Sequence, residues 1–166
     1  RTQYSSPVQI PGTTWPTDIG TSDGVIKLST TLNALCAIKT DGTMWNWGQN
    51  YSGTLGQNQS TPNAQYSSPV QIPGTWKSIN QDNFARFGVK TDGKAYFWGS
   101  GNDGVPGIGI RETARSSPTE LHGGGTTWRQ IAMQGYMVMG TKTDGSLWAW
   151  GNNVGGQAAS FPGTFE

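Results

Sequence analysis

The chain has 166 residues, of which 13% are charged, with a net charge of +1, room for one ordinary domain. No cluster of Lys and Arg offers the footprint that a nucleic-acid backbone or an anionic membrane surface requires, and no apolar run reaches the length of a membrane-spanning helix, so neither partner is expected. Abundant Thr, Gly, Trp, Asn and Gln with few helix formers predict an all-β chain rich in turns.

The chain begins at Arg1 rather than Met, which predicts a processed chain or a piece of a longer one. Residues 3–13 read QYSSPVQIPGT, and the same eleven letters return at 65–75. Trp15 follows the first copy and Trp76 the second, and Trp128 stands at the matching place in a third unit. Between Trp15 and Thr40 lie ten more residues than between Trp76 and Thr91, an insertion placed within 16–33. Thr-Asp-Gly occurs at 40–42, 91–93 and 143–145, a spacing of 51 and then 52 residues. An aromatic-x-Trp-Gly follows each: Trp45 to Gly48, Tyr96 to Gly99 and Trp148 to Gly151. Ser-Ser-Pro opens the phrase at 5, 67 and 116, so the units run approximately 5–66, 67–115 and 116–166.

The middle unit predicts four strands. Trp76 to Ile79 begins one and Phe84 to Lys90 is the second. Asp92-Gly93 reads as a two-residue hairpin turn, Lys94 to Gly99 is the third strand, and Ser117 to Leu121 is the fourth. Four short strands per fifty-residue unit match one blade of a β-propeller. The last unit departs after Gly151, since 152–166 lacks Ser-Ser-Pro. An outer strand therefore comes first in the chain, and the last blade is expected to end without its own. Three blades do not close a ring, because propellers run from four to eight. Further blades are expected in cis or in trans.

The order W-x-x-I, A-I-K-T-D-G, W-x-W-G-x-N and S-S-P-V-Q-I resembles the repeat of the regulator of chromosome condensation family over nearly the whole chain. That resemblance implies antiparallel four-stranded propeller blades.

Residues able to carry chemistry are few. His122 is the one histidine and stands beside glycines in a predicted loop. Cys36, the one cysteine, aligns with Phe87 and Met139 and is predicted to be a core residue. Five of seven aspartates precede glycine and read as turn residues. Asp103-Gly104 fits no calcium-loop spacing. No cofactor, metal or catalytic group is expected. All eight tryptophans fall on repeat positions, which predicts packing between blades ahead of sugar stacking. Ala37, Gly88 and Gly140 align in the second strand and are predicted to let blades approach closely.

What does not repeat is left for recognition. The candidate partner-binding residues are Asp18, Asp23, Tyr51, Asn58, Asn63, Asn102, Arg111, Glu112 and Arg115, all in the insertion or the long loops. The expected function is a non-enzymatic module presenting loops to a protein or a glycan. Similarity to bacterial and phage repeat proteins implies an extracellular, cell-surface or virion setting. An exchange factor for a small GTPase and a propeller-type enzyme inhibitor are the alternatives.

Overall fold

The computed structural model describes residues 5–17, 25–59, 65–102, 105–108, 114–123 and 125–156. Among them are ten strands and no α-helix: β1 Leu28–Thr30, β2 Ala34–Ile38, β3 Thr43–Gln49, β4 Gln65–Gln81, β5 Ala85–Lys90, β6 Ala95–Gly99, β7 Arg115–Glu120, β8 Trp128–Gln134, β9 Met137–Lys142 and β10 Leu147–Gly151. Every pairing is antiparallel between sequence neighbours. The architecture is a run of all-β propeller blades, as the repeat implies.

β4 belongs to two blades. Its residues 65–75 pair with β3 as the outer strand of blade 1, and from Trp76 it pairs with β5 as the inner strand of blade 2. Hydrogen bonding therefore runs unbroken from β1 to β7, while β8, β9 and β10 form a separate sheet. The second copy of the repeated phrase is thus an outer strand running straight into the next inner strand. Blade 3 has three strands among the described residues.

The inserted residues fall between Trp15 and Leu28. Thr40 donates to the Thr14 carbonyl at 2.9 Å, as Thr91 does to Thr75 at 3.2 Å and Thr143 to Thr127 at 2.8 Å. Trp15 consequently sits where Trp76 and Trp128 sit. Leu28 pairs with Ala37 as Ile79 pairs with Gly88, so the regular strand has resumed by Leu28.

The Thr-Asp-Gly hairpins differ from the two-residue turn expected of them. Gly93 donates to the Lys90 carbonyl at 3.0 Å, while Lys90 donates to the Lys94 carbonyl at 2.9 Å. The loop therefore has three residues, and only the glycine takes a positive φ, +81° at Gly93 and within a few degrees of that at Gly42 and Gly145. This is a turn closed by a glycine bulge, which leaves the aspartate in an ordinary conformation. The aspartate carboxylate instead accepts the backbone N–H two residues on, at 2.9 Å from Thr43, 3.0 Å from Lys94 and 2.9 Å from Ser146.

Two apolar clusters lie between blades. Cys36, Ile38, Met44 and Ile72 of blade 1 meet Trp76, Ile79 and Trp98 of blade 2. Phe87, Val89 and Phe97 of blade 2 meet Trp128, Ile131 and Val138 of blade 3, with Trp150 against them. Cys36 is buried as expected, and burial pushes its thiol up to about 12 although the Arg86 charge pulls the other way. The aligned small residues have a different reason from the one expected. A Cβ at Gly88 would stand 2.7 Å from the Trp76 ring, and one at Gly140 would stand 2.7 Å from Trp128. They make room for the indole of their own blade rather than for a neighbouring blade.

Candidate functional site

The hairpin register sorts the connections into two edges. Ala34 pairs with Gly48, Ala85 with Gly99 and Met137 with Gly151. The turns before β2, β5 and β9 therefore adjoin the loops after β3, β6 and β10. All of these share one edge of the blade array, called here the loop face. The Thr-Asp-Gly turns occupy the opposite edge.

The turn edge is closed by its own side chains. In blade 1 the Trp45 indole N–H donates to the Thr43 hydroxyl at 2.9 Å, and that hydroxyl donates to Asp41 at 2.7 Å. Blade 3 repeats this with Trp148, Ser146 and Asp144. The Thr43 backbone N–H and hydroxyl hold the Asp41 carboxyl below the usual carboxylate range, and the Ser146 hydroxyl and backbone N–H do the same for Asp144. Blade 2 replaces the hydroxyl with Lys94, which forms a 3.0 Å ion pair with Glu120. A lysine also lies over two rings in every blade: Lys39 over Trp15 and Trp45, Lys90 over Trp76 and Tyr96, Lys142 over Trp128 and Trp148. One face of each of these six rings is thus occupied by a cation of the same blade. These lysines belong to the repeat, and their spacing of six residues to the following aromatic was visible in the sequence.

The loop face is built differently. The loop after β3 opens with a single 3-10 turn, Tyr51–Gly53. Asn50 is buried beneath it and holds it from both sides: its carbonyl oxygen accepts from Leu55 N–H at 2.8 Å, and its amide donates to the Gln59 carbonyl at 2.8 Å. Asn58, at φ +56°, donates its backbone N–H to the Ser116 carbonyl at 2.8 Å. Gly53 lies against Ser116, with no room for a Cβ. The loop of blade 1 is therefore clasped to β7 of blade 2. Tyr51, Asn58 and Arg115 are brought to this junction, and the Arg115 guanidinium donates to the Ala114 carbonyl. Asn102 stands at the place in blade 2 that Tyr51 takes in blade 1. Its carbonyl accepts from Val105 at 3.1 Å as that of Tyr51 accepts from Thr54 at 3.0 Å. Asp18, Asp23, Asn63, Arg111 and Glu112 lie outside the described residues.

The loops of blades 1 and 2 are also pinned to the next blade through their backbones. The Thr54 carbonyl accepts the Trp98 indole N–H at 2.9 Å and a guanidinium N–H of Arg86, and the Val105 carbonyl accepts the Trp150 indole N–H at 3.0 Å. Arg86 is fully buried, its Nε donating to Gln81, and desolvation brings it down to about 10, still protonated at neutral pH.

The sequence reading missed the apolar residues of this face. Leu32, Phe84 and Tyr136 are 85%, 54% and 45% exposed in the turns before β2, β5 and β9. Val154, exposed after β10, matches Tyr51 and Asn102 in its distance from the preceding Trp-Gly. Phe84 was expected to open the second strand, yet the strand begins at Ala85 and Phe84 is left in the turn. In register, the residues before Ala34, Ala85 and Met137 are Asn33, Phe84 and Tyr136, so Phe84 and Tyr136 share a position and Leu32 stands one residue earlier in its turn. Turns of adjacent blades are joined: Leu32 N–H donates to the Asn83 side chain at 3.3 Å, and Gly135 N–H donates to the Asp82 carboxylate. His122 is exposed in a turn, its N–H donating to the Gly107 carbonyl. Among the described residues no His, Cys, Asp and Glu cluster in a way that suits a metal ion, and no helix is long and apolar enough to cross a membrane.

No protein-family model matches the sequence, and no curated protein matches it. Solved structures are similar to it in fold. Human WBSCR16 shares 19% identity at a TM-score of 0.64, covering 79% of this chain and 34% of its own. Prp20p from Saccharomyces cerevisiae shares 18% at a TM-score of 0.65, covering 76% and 33%. Yeast RCC1 (Prp20) solved with Kap60 shares 19% at 0.65, covering 78% and 32%. The chain spans about a third of the length of these proteins. Its blades therefore have the fold of the RCC1-type propeller.

Proposed function

We propose that the chain is a non-enzymatic recognition module that holds a protein partner against its loop face. The observation that carries this is the exposure of Leu32, Phe84 and Tyr136 at the same edge of three successive blades, beside Tyr51 and Val154. Exposed apolar residues ordered along one rigid edge, rimmed by polar Asn58, Asn102 and Arg115, have the makeup of a protein interface. The opposite edge spends its aromatics and charges within the blades. Prp20p is a protein with binding properties toward Gsp1p and histones, so this fold does hold protein partners elsewhere. The reading as a non-enzyme rests on the single histidine, the buried single cysteine and the aspartates committed to turns. A cell-surface or virion setting is kept in the proposal on the flavour of the repeats alone. An exchange-factor role ranks second, since similarity of fold favours it but no residue correspondence does; it requires that the chain speed nucleotide release from a small GTPase.

The test is capture of partners from the source material with three matched proteins: wild type, Leu32→Ser/Phe84→Ser/Tyr136→Ser, and Asp92→Ala on the opposite edge. With folding verified by circular dichroism, a partner held by wild type and Asp92→Ala is expected to be lost from the triple variant. A partner lost only from Asp92→Ala overturns the assignment.

A further inference from the structure

The two ends of the blade array expose the surfaces that its middle buries. The back of each blade carries Cys36 and Asn46 in blade 1, Phe87 and Phe97 in blade 2, and Met139 and Ala149 in blade 3. Phe87 and Phe97 are sealed by blade 3, whereas Met139 is 53% exposed and Leu147 beside it 69%. Ala132, Met133, Met137, Met139 and Ala149 line an open apolar hollow of about 350 Å³ there. The front of each blade carries Trp47, Trp98 and Trp150 at equivalent places. Trp98 and Trp150 are seated on the preceding blade, but Trp47 borders an apolar hollow of about 510 Å³ with Ile10, Trp15, Leu28 and Leu35.

A strand is open as well. β3 and β6 each carry an outer strand, while among the described residues none pairs with the outer edge of β10. The sequence holds a second copy of such a strand. Residues 65–75 form the outer strand on β3, and residues 3–13 have the identical sequence. The described part of that first copy is in no strand, and Val8 and Ile10 are exposed, although Ile72, the counterpart of Ile10, is fully buried. Gly12 already holds φ +118°, close to the +112° of Gly74.

We propose that residues 5–13 of a second copy of this chain complete blade 3 as its fourth strand, while the front of that copy's blade 1 covers the back of blade 3. The contact repeats the internal seams position for position, adding a strand to an open sheet edge as in β-augmentation. It is head to tail, so it closes only when the rotation allows. The β3–β4 register sets Asn46 opposite Val70 and Met44 opposite Ile72, so Ala149 faces Val8 and Leu147 faces Ile10. The competing occupant is the chain's own 157–166, which carries Phe161-Pro162-Gly163-Thr164 and so echoes the end of the phrase. The proposal stands independently of the loop-face reading.

The experiment combines native mass with cross-linking of the full chain. Wild type is expected at twice 17.8 kDa in native mass spectrometry and sedimentation, and Ile10→Asp is expected at the single mass with unchanged circular dichroism. Val8→Cys/Ala149→Cys, oxidised, is expected to give covalent species joining two chains, and the one-residue slip Gln9→Cys/Ala149→Cys is expected to give several-fold less. A wild-type monomer, or a Val8→Cys/Ala149→Cys disulfide closing within one chain, overturns the proposal. So does a dimer that Ile10→Asp leaves intact.

Discussion

The two seams between blades use the same positions with different chemistry. Between blades 2 and 3, Phe87 and Phe97 meet Val138 and Trp150, and the Phe87 ring stands 5.9 Å from that of Trp150, edge-on. Between blades 1 and 2, the corresponding residues are Cys36, Asn46, Arg86 and Trp98. The first seam is held by aromatic area. The second buries a guanidinium on a backbone carbonyl and a glutamine, beside an asparagine whose amide meets no partner within the described protein. What both share is the pair of indoles, 5.6 Å apart in blade 2 and 5.9 Å in blade 3, and the carbonyl that receives the second indole. A blade seam therefore needs its tryptophans and one acceptor, and the strip between them tolerates either chemistry.

Truncation should separate the seams most strongly. Phe87→Ala removes a buried ring and is expected to cost about 3–5 kcal/mol in urea unfolding. Cys36→Ala, at the same position of the other seam, is expected to cost about 1 kcal/mol, because it deletes one small buried atom. Equal losses would mean that the polar seam depends on its thiol as much as the apolar seam depends on its ring. Asn46→Leu puts an apolar group where blade 2 has Phe97, and is expected to raise stability by roughly 1 kcal/mol by removing an unpaired buried amide. A loss of that size would show that the amide is satisfied in solution.

The smallest effect is at the turn edge in acid. Asp41 and Asp144 have folded-state values below the unfolded one, chiefly from the Thr43 and Ser146 donors. The stability they contribute is present above the unfolded value, and is lost as pH falls below about 4 and through the folded one. Thr43→Val/Ser146→Ala should flatten that limb of the pH–stability curve by lowering stability at neutral pH while leaving stability in strong acid nearly unchanged.

Much of the fold was legible because a blade is short and periodic. Trp76 and Trp128 marked two inner strands, Trp15 marked the matching place in the first blade, and the Thr-Asp-Gly sites marked three hairpins. The turn type was not legible, since Asp-Gly suits both a two-residue loop and a glycine bulge, and only the backbone bonds distinguish them. The candidate site was legible in part. The long loops were found through their failure to repeat, which led to Tyr51, Asn58, Asn102 and Arg115. Phe84 was passed over because an apolar residue next to a strand reads as part of it, and Leu32 was inside the insertion at 16–33 without being singled out there. Arg86 was passed over because a single strand does not reveal the carbonyl of a distant loop that receives its charge.

That carbonyl has a consequence for how such a molecule diversifies. The acceptor on Thr54 and on Val105 is peptide backbone, which every amino acid supplies. Loop sequence can drift while the grip on the following indole is inherited unchanged, provided the turn keeps its shape. A duplicated blade would then arrive with its coupling already in place, and its loop would be free to acquire a new specificity without renegotiating its neighbours.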